Sequence, residues 1–245
     1  MTLTSDFGEG SPYVAAMKAV ILAGCPAATL VDVSHAVPPF DLVSGAFVLW
    51  AGTRDFGAGA VHLAVVDPGV GGARRAVALA VGGAFYVGPD NGLFGLVVSE
   101  SSATAADVNV VELERPSGAS ATFEGRDVFA PAAVALASGR SLAALGRPSG
   151  GLLSPLPLSG PAVLWADRFG NLVTSLKPPV AALRVGGTLV DRLARTFGDA
   201  PPATPFLYVG SMGFIEVGVR EGSAAALLGA RAGTPVEPAA AAETA

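Results

Sequence analysis

The chain has 245 residues, of which 51% are apolar and 14% charged, with a formal net charge of −5. So much apolar content excludes a disordered chain, and the acidic balance argues against a nucleic-acid surface. The apolar runs are short, broken by 32 glycines and 19 prolines, and none reaches the roughly 18 to 20 residues of a membrane span.

In chain order, a β-prone run over residues 2–5 starts the chain, with no basic, apolar leader before it, so a cytoplasmic protein is expected. Ser11-Pro12 then caps and opens a helix that runs to about Gly24, with Val14, Met17, Val20 and Ile21 at helical spacing. The lone cysteine, Cys25, follows as a core or turn residue; it excludes an internal disulfide framework and forms no metal cluster by itself. A strand over 28–33 precedes a second helix that Asp41 caps and that carries Leu42, Ala46, Leu49 and Trp50. Strands over 60–66, 76–81 and 84–87 follow, the last two divided at Gly82-Gly83 as a hairpin. A helix near 91–100, a strand over 108–113 and a helix over 128–138 capped by Asp127 complete an alternating pattern. Such alternation predicts an α/β domain over residues 1–150 with a mostly parallel sheet covered on both faces.

The stretch 147–161 turns to Pro, Gly, Ser and Leu and reads as a linker. Beyond it, short strand signals lie at 162–166, 172–176, 183–185, 206–209 and 214–219, with a helix at 223–228. They predict a second, smaller domain over 161–236, a β-barrel or sandwich. Alanine-rich residues 237–245 read as a frayed, low-complexity tail.

The polar residues sit at the strand ends. Asp6, His35, Asp67, Asp90 and Asp167 each follow an apolar run, mostly beside Gly or Pro. One such aspartate is ordinary turn chemistry; its recurrence in a chain with few charges points to convergence on one crevice. The segment Val65-Val66-Asp67-Pro68-Gly69-Val70-Gly71 with Arg74-Arg75 is the most informative, an acid at a strand mouth facing guanidinium groups across a glycine-rich loop. His62, inside an apolar strand, and His35 read as structural, and Arg126 as an ion-pair partner of Asp127.

These motifs, with Thr4-Ser5-Asp6-Phe7-Gly8, Val31-Asp32-Val33-Ser34-His35, Pro89-Asp90-Asn91-Gly92-Leu93, Gly125-Arg126-Asp127, Asp167-Arg168-Phe169-Gly170-Asn171 and Gly210-Ser211-Met212-Gly213-Phe214-Ile215-Glu216, occur in order along the chain. In this the chain resembles the S-adenosylmethionine hydroxide adenosyltransferase family, relatives of the fluorinase and chlorinase enzymes. The resemblance implies metal-independent hydrolysis of S-adenosylmethionine to adenosine and L-methionine, with no cofactor, by a two-domain protein that assembles as a homotrimer. It implies that Asp67 and Arg74 activate the attacking water and that Asp6 holds the ribose hydroxyls. Asp167 would pair with the methionine ammonium and Ser211 with its carboxylate, while Asn171 reads the adenine edge. Phe123 and Phe169 are candidate walls, and Phe40 stands where the halide-using relatives carry an aromatic against the ribose.

One position departs from the family pattern: Glu124 stands where a histidine precedes Gly-Arg-Asp. A free glutamate, with a pKa of about 4.3, is a weaker base than histidine at about 6.5. Three roles stay open for Glu124: proton acceptor, orienting acceptor for the water, or a sign of weakened activity. Asp67 and Glu124 together argue against a halide nucleophile. Two other functions compete, a non-catalytic adenosyl-ligand sensor and a metal-dependent hydrolase built on the aspartates; turnover separates the first and chelation the second.

Overall fold

The computed structural model describes residues 1–101, 107–149 and 154–240. They form two compact units, divided between Pro157 and Leu158. In the first, β1 (Thr2–Ser5), α1 (Pro12–Gly24), β2 (Val31–Ser34), α2 (Leu42–Thr53) and β3 (Val61–Val65) alternate as expected. The hairpin β4 (Ala76–Val81) and β5 (Ala84–Pro89) follows, then α3 (Gly95–Ser99), β6 (Asn109–Leu113), α4 (Ala130–Ala137) and β7 (Gly146–Pro148).

Seven strands make one sheet in the order β2-β1-β3-β5-β4-β6-β7. Strands β2, β1, β3 and β5 are mutually parallel, and β4, β6 and β7 are added through antiparallel pairings. The chain leaves β1 through α1 to reach β2 on one side, then through α2 to reach β3 on the other. The strand order therefore reverses at β1, and right-handed crossovers running in opposite directions put α1 and α2 on opposite faces. Ser5 pairs with Val65, so the ends of β1 and β3 open side by side at the reversal point, where open α/β sheets bind ligands.

Helix α1 forms where Ser11 supplies a cap, its side chain accepting from the Tyr13 amide, and Pro12 sets the first turn. Its buried face, Val14, Met17 and Ile21, is the one that helical spacing predicts. Met17 and Ile21 join Leu3, Leu63, Val87, Phe129 and Ala133 in one core. Asp41 caps α2, accepting from the Ser44 amide at 2.9 Å. Cys25 is a free, half-buried residue at the end of α1.

The second unit holds β8 (Val163–Ala166), β9 (Leu172–Thr174), β10 (Ala182–Val185), β11 (Thr188–Val190), β12 (Pro205–Val209), β13 (Ile215–Val219), α5 (Ala224–Leu228) and β14 (Val236–Ala239). These strands form two antiparallel sheets, β12-β13-β9-β8 and β11-β10-β14, around one apolar core that includes Val163, Leu183, Leu207, Val217 and Val236. Two sheets around one core answer the expectation of a barrel or sandwich in part; among the described residues the pairings do not make a closed barrel. Within the expected tail, residues 237–239 pair with β10 as part of β14, and 241–245 lie outside the described residues. The linker expectation fails in part, since β7 adds to the large sheet and the Ser154 amide donates to Asp90 at 2.6 Å.

Asp127 does not cap α4. Residues Gly125–Phe129 wind as a π-helical turn leading into it, and the Asp127 carboxylate instead accepts from the Ser120 amide at 2.9 Å and pairs with Arg126. His62 is structural: it is fully buried, with Nδ1 2.8 Å from the Thr2 hydroxyl and its ring against Tyr86. Burial, aided by the N-terminal charge, lowers its pKa to about 4. The unfolded chain therefore takes up this proton first, and stability should be lost as pH falls from about 6.5. Urea midpoints measured from pH 8 to pH 4 should show that loss, and His62→Phe should reduce it.

Candidate active site

At the reversal point the chain carries Asp6 just past β1 and Asp67 two residues past β3. Both line a cleft of about 320 Å³ together with Phe7, Tyr13, Phe40, Val70, Phe123 and Glu124. The 66–74 loop brings Arg74 back onto Asp67. Gly71 permits this course: its φ is +74°, and a Cβ there would meet the Ala121 carbonyl oxygen at 2.4 Å. The loop thus lies directly against the segment that carries Phe123 and Glu124.

Arg74 sits between two carboxylates. Its Nε donates to Asp67 Oδ1 at 3.0 Å and its Nη2 to Oδ2, a two-pronged pair. Its Nη1 lies 2.6 Å from Glu124 Oε2. The side chains of Arg74, Asp67 and Glu124 are only 9%, 5% and 2% exposed, and the guanidinium stands over the Phe129 ring. Burial alone would lower the Arg74 pKa, but Asp67 and Glu124 outweigh it and hold it above the ordinary value. Arg74 is therefore a permanent buried cation.

Sequence reasoning missed a fourth member. Arg115, two residues past β6, donates through Nε to Glu124 Oε1 at 2.6 Å and through Nη2 to the Arg74 carbonyl at 2.8 Å. Nothing local in Leu113-Glu114-Arg115-Pro116 marks it. The signal was indirect: a glutamate beside Asp67 calls for a second cation.

Asp6 Oδ2 accepts from the Phe40 amide at 2.9 Å. Phe40 has φ +65° and is 69% exposed, a strained, outward-facing aromatic at a cleft. Phe123 meets Tyr13 and Phe7 edge-on, with centroids 5.1 and 6.2 Å away, and Arg126 covers it. Tyr13 and Phe7 are further cleft residues that the motifs did not single out.

Two further aspartates of the first unit, Asp32 and Asp90, are not among the residues that line this cleft. Asp32 pairs with Lys18 and lies 3.1 Å from His35, whose other nitrogen meets the Ser5 hydroxyl at 2.7 Å. Asp90 binds Arg75. Among the described residues, no group of three or more His, Cys, Asp or Glu side chains is arranged to hold a metal ion.

The remaining sequence candidates belong to the second unit. Asp167, Phe169 and Asn171 share the β8–β9 turn, and Ser211 is exposed in the β12–β13 turn. Asp167 Oδ1 accepts from the amides of Phe169 and Asn171 at 2.9 and 2.8 Å, and Oδ2 from the Asn171 side chain at 2.8 Å. Gly170 makes the turn possible, because a Cβ there would overlap the Ser223 hydroxyl at 1.9 Å. Phe169 is 78% exposed. Sequence reasoning gave no role to Glu216, which is buried and accepts from the Tyr208 hydroxyl at 2.6 Å.

Burial raises the Glu216 pKa; the Tyr208 bond opposes the rise and the Asp167 charge adds to it. The native state then holds this proton more tightly than the unfolded chain, so stability is lost as pH rises from the unfolded value of about 4.3 through the raised folded value. Glu216→Gln should therefore raise the melting temperature at pH 8 and change it little at pH 4, which calorimetry can check.

Comparison with known proteins matches residues 1–146 to the SAM hydroxide adenosyltransferase N-terminal domain and residues 161–237 to the C-terminal domain. An (R)-S-adenosyl-L-methionine hydrolase from Thermus thermophilus is 47% identical, covering 95% of this chain and 96% of its own. More distantly, a fluorinase from an Actinoplanes species is 28% identical over 87% of this chain and 88% of its own. A crystal structure of an uncharacterized conserved protein from Thermotoga maritima superposes with a TM-score of 0.84 at 31% identity, covering 96% of this chain and 98% of that one.

Proposed function

Because the chain belongs to the SAM hydroxide adenosyltransferase family, we propose that it hydrolyses S-adenosyl-L-methionine to adenosine and L-methionine. The observation that carries this reading is the buried Asp67–Arg74–Glu124 group beside the cleft at the strand-order reversal. The reaction needs little else. A sulfonium is already an activated leaving group: as a water oxygen bonds to C5′, the C5′–S bond breaks and sulfur takes the electron pair as neutral methionine. The water gives up one proton, which ends in solvent. The protein has to place the water in line and favour its hydroxide character, by positioning and electrostatics.

Arg74 uses one lone pair on each Asp67 oxygen, and a carboxylate offers about four. Asp67 therefore keeps acceptor capacity toward the cleft it lines, and we assign it to the water. Arg74, fixed as a cation, stabilises the growing negative charge. Glu124 has a guanidinium on each oxygen, which favours a role in orienting Arg74 over a role as the base. Asp6 takes the ribose hydroxyls with the acceptor capacity that the Phe40 amide leaves free, and Phe40 and Phe123 flank the sugar and base. Asp167, Asn171, Phe169 and Ser211 are assigned to the methionine and adenine ends by family resemblance, as is a homotrimeric assembly.

The name of the Thermus relative specifies the (R) form. Sulfonium epimers are distinct molecules, so the substrate is extended to the (R)-sulfonium form, tested by offering each epimer separately and measuring adenosine. Asp67→Asn should lower kcat by about 100-fold or more, within the range for loss of proton-transfer catalysis, with KM nearly unchanged. Glu124→Gln should cost about 10-fold and Glu124→His should retain turnover. Binding of intact substrate without adenosine in any form of the protein would favour the sensor function instead.

A further inference from the structure

The four charges form a row, Asp67–Arg74–Glu124–Arg115, alternating in sign and summing to zero. Three of them are buried, and only Arg115 reaches solvent, at 38% exposure. Arg115 holds both ends of the next link, the Glu124 carboxylate and the Arg74 carbonyl. With a histidine at position 124, Asp67 and Arg74 would balance each other and no further cation would be required. Glu124 breaks that balance.

We propose that Arg115 is a positioning residue for hydrolysis, required specifically because position 124 is a glutamate. This rests on the reading of the cleft as the hydrolytic site. Two effects follow from its removal. A buried carboxylate that loses one of its two cations carries a larger desolvation cost, so Glu124 leans on the cation it keeps, Arg74, and draws it off Asp67. The site also gains an uncompensated negative charge, which disfavours the hydroxide-like transition state at low local dielectric. Both effects act on the chemical step, and neither touches the ribose, adenine or methionine contacts.

The test is a double-mutant cycle with kcat, KM and melting temperature measured for each protein. Arg115→Gln should lower kcat about 10-fold while KM stays within about 2-fold, and Arg115→Lys should recover part of the loss by restoring charge without the fork. In a Glu124→Gln background, and equally in Glu124→His, Arg115→Gln should change kcat by less than about 2-fold, because no carboxylate is left to balance. An unchanged kcat for Arg115→Gln alone would overturn the proposal. So would an equal loss in all three backgrounds, or a loss explained by a fall in melting temperature and in the fraction of active sites. Absence of adenosine from the unmutated protein would instead overturn the hydrolytic reading of the cleft.

Discussion

The guanidinium of Arg74, buried and shared between Asp67 and Glu124, is the interaction around which the first unit is arranged. An isolated charge in that position would be prohibitive; Asp67 balances it, and Glu124 adds a second carboxylate. Asp67 comes from just past the end of β3, and Glu124 from the N-terminal edge of the π-helical turn that precedes α4. Gly71 allows the two segments to approach. The second carboxylate then needs a cation of its own, which β6 delivers as Arg115.

The sheet topology explains why this assembly becomes a site and not merely a buried ion cluster. Reversal of strand order at β1 separates the crossover helices onto opposite faces and leaves a crevice above the ends of β1 and β3. Asp6 and Asp67 stand at the two lips. Asp32 within β2 and Asp90 just past β5 are consumed by Lys18 and Arg75. Position in the strand order decides which strand-end acid faces a ligand and which stabilises a loop.

Local features were legible in the sequence for a physical reason: caps, helical faces and the Gly82-Gly83 hairpin are determined within a few residues. Val14, Met17 and Ile21, Asp41 and the alternating first half follow this rule. What depends on long-range closure was less legible. The short strands of the second unit carry the same local signals in a barrel as in a sandwich, and their division into two sheets lies in the strand order. Asp127 before an apolar run has the form of a helix cap, yet the π-helical turn redirects it to Ser120. Arg115 acts across nine residues of sequence on Glu124 and across forty-one on Arg74, and no local pattern reports such a contact.

The central claim is that this charge row makes a water the nucleophile at C5′. Turnover in water enriched in oxygen-18, with mass analysis of both products, tests it directly. The account predicts one heavy oxygen in the 5′-hydroxyl of adenosine and none in methionine. Adenosine formed without the label would contradict attack of water at C5′ and, with it, the role given to Asp67 and Arg74.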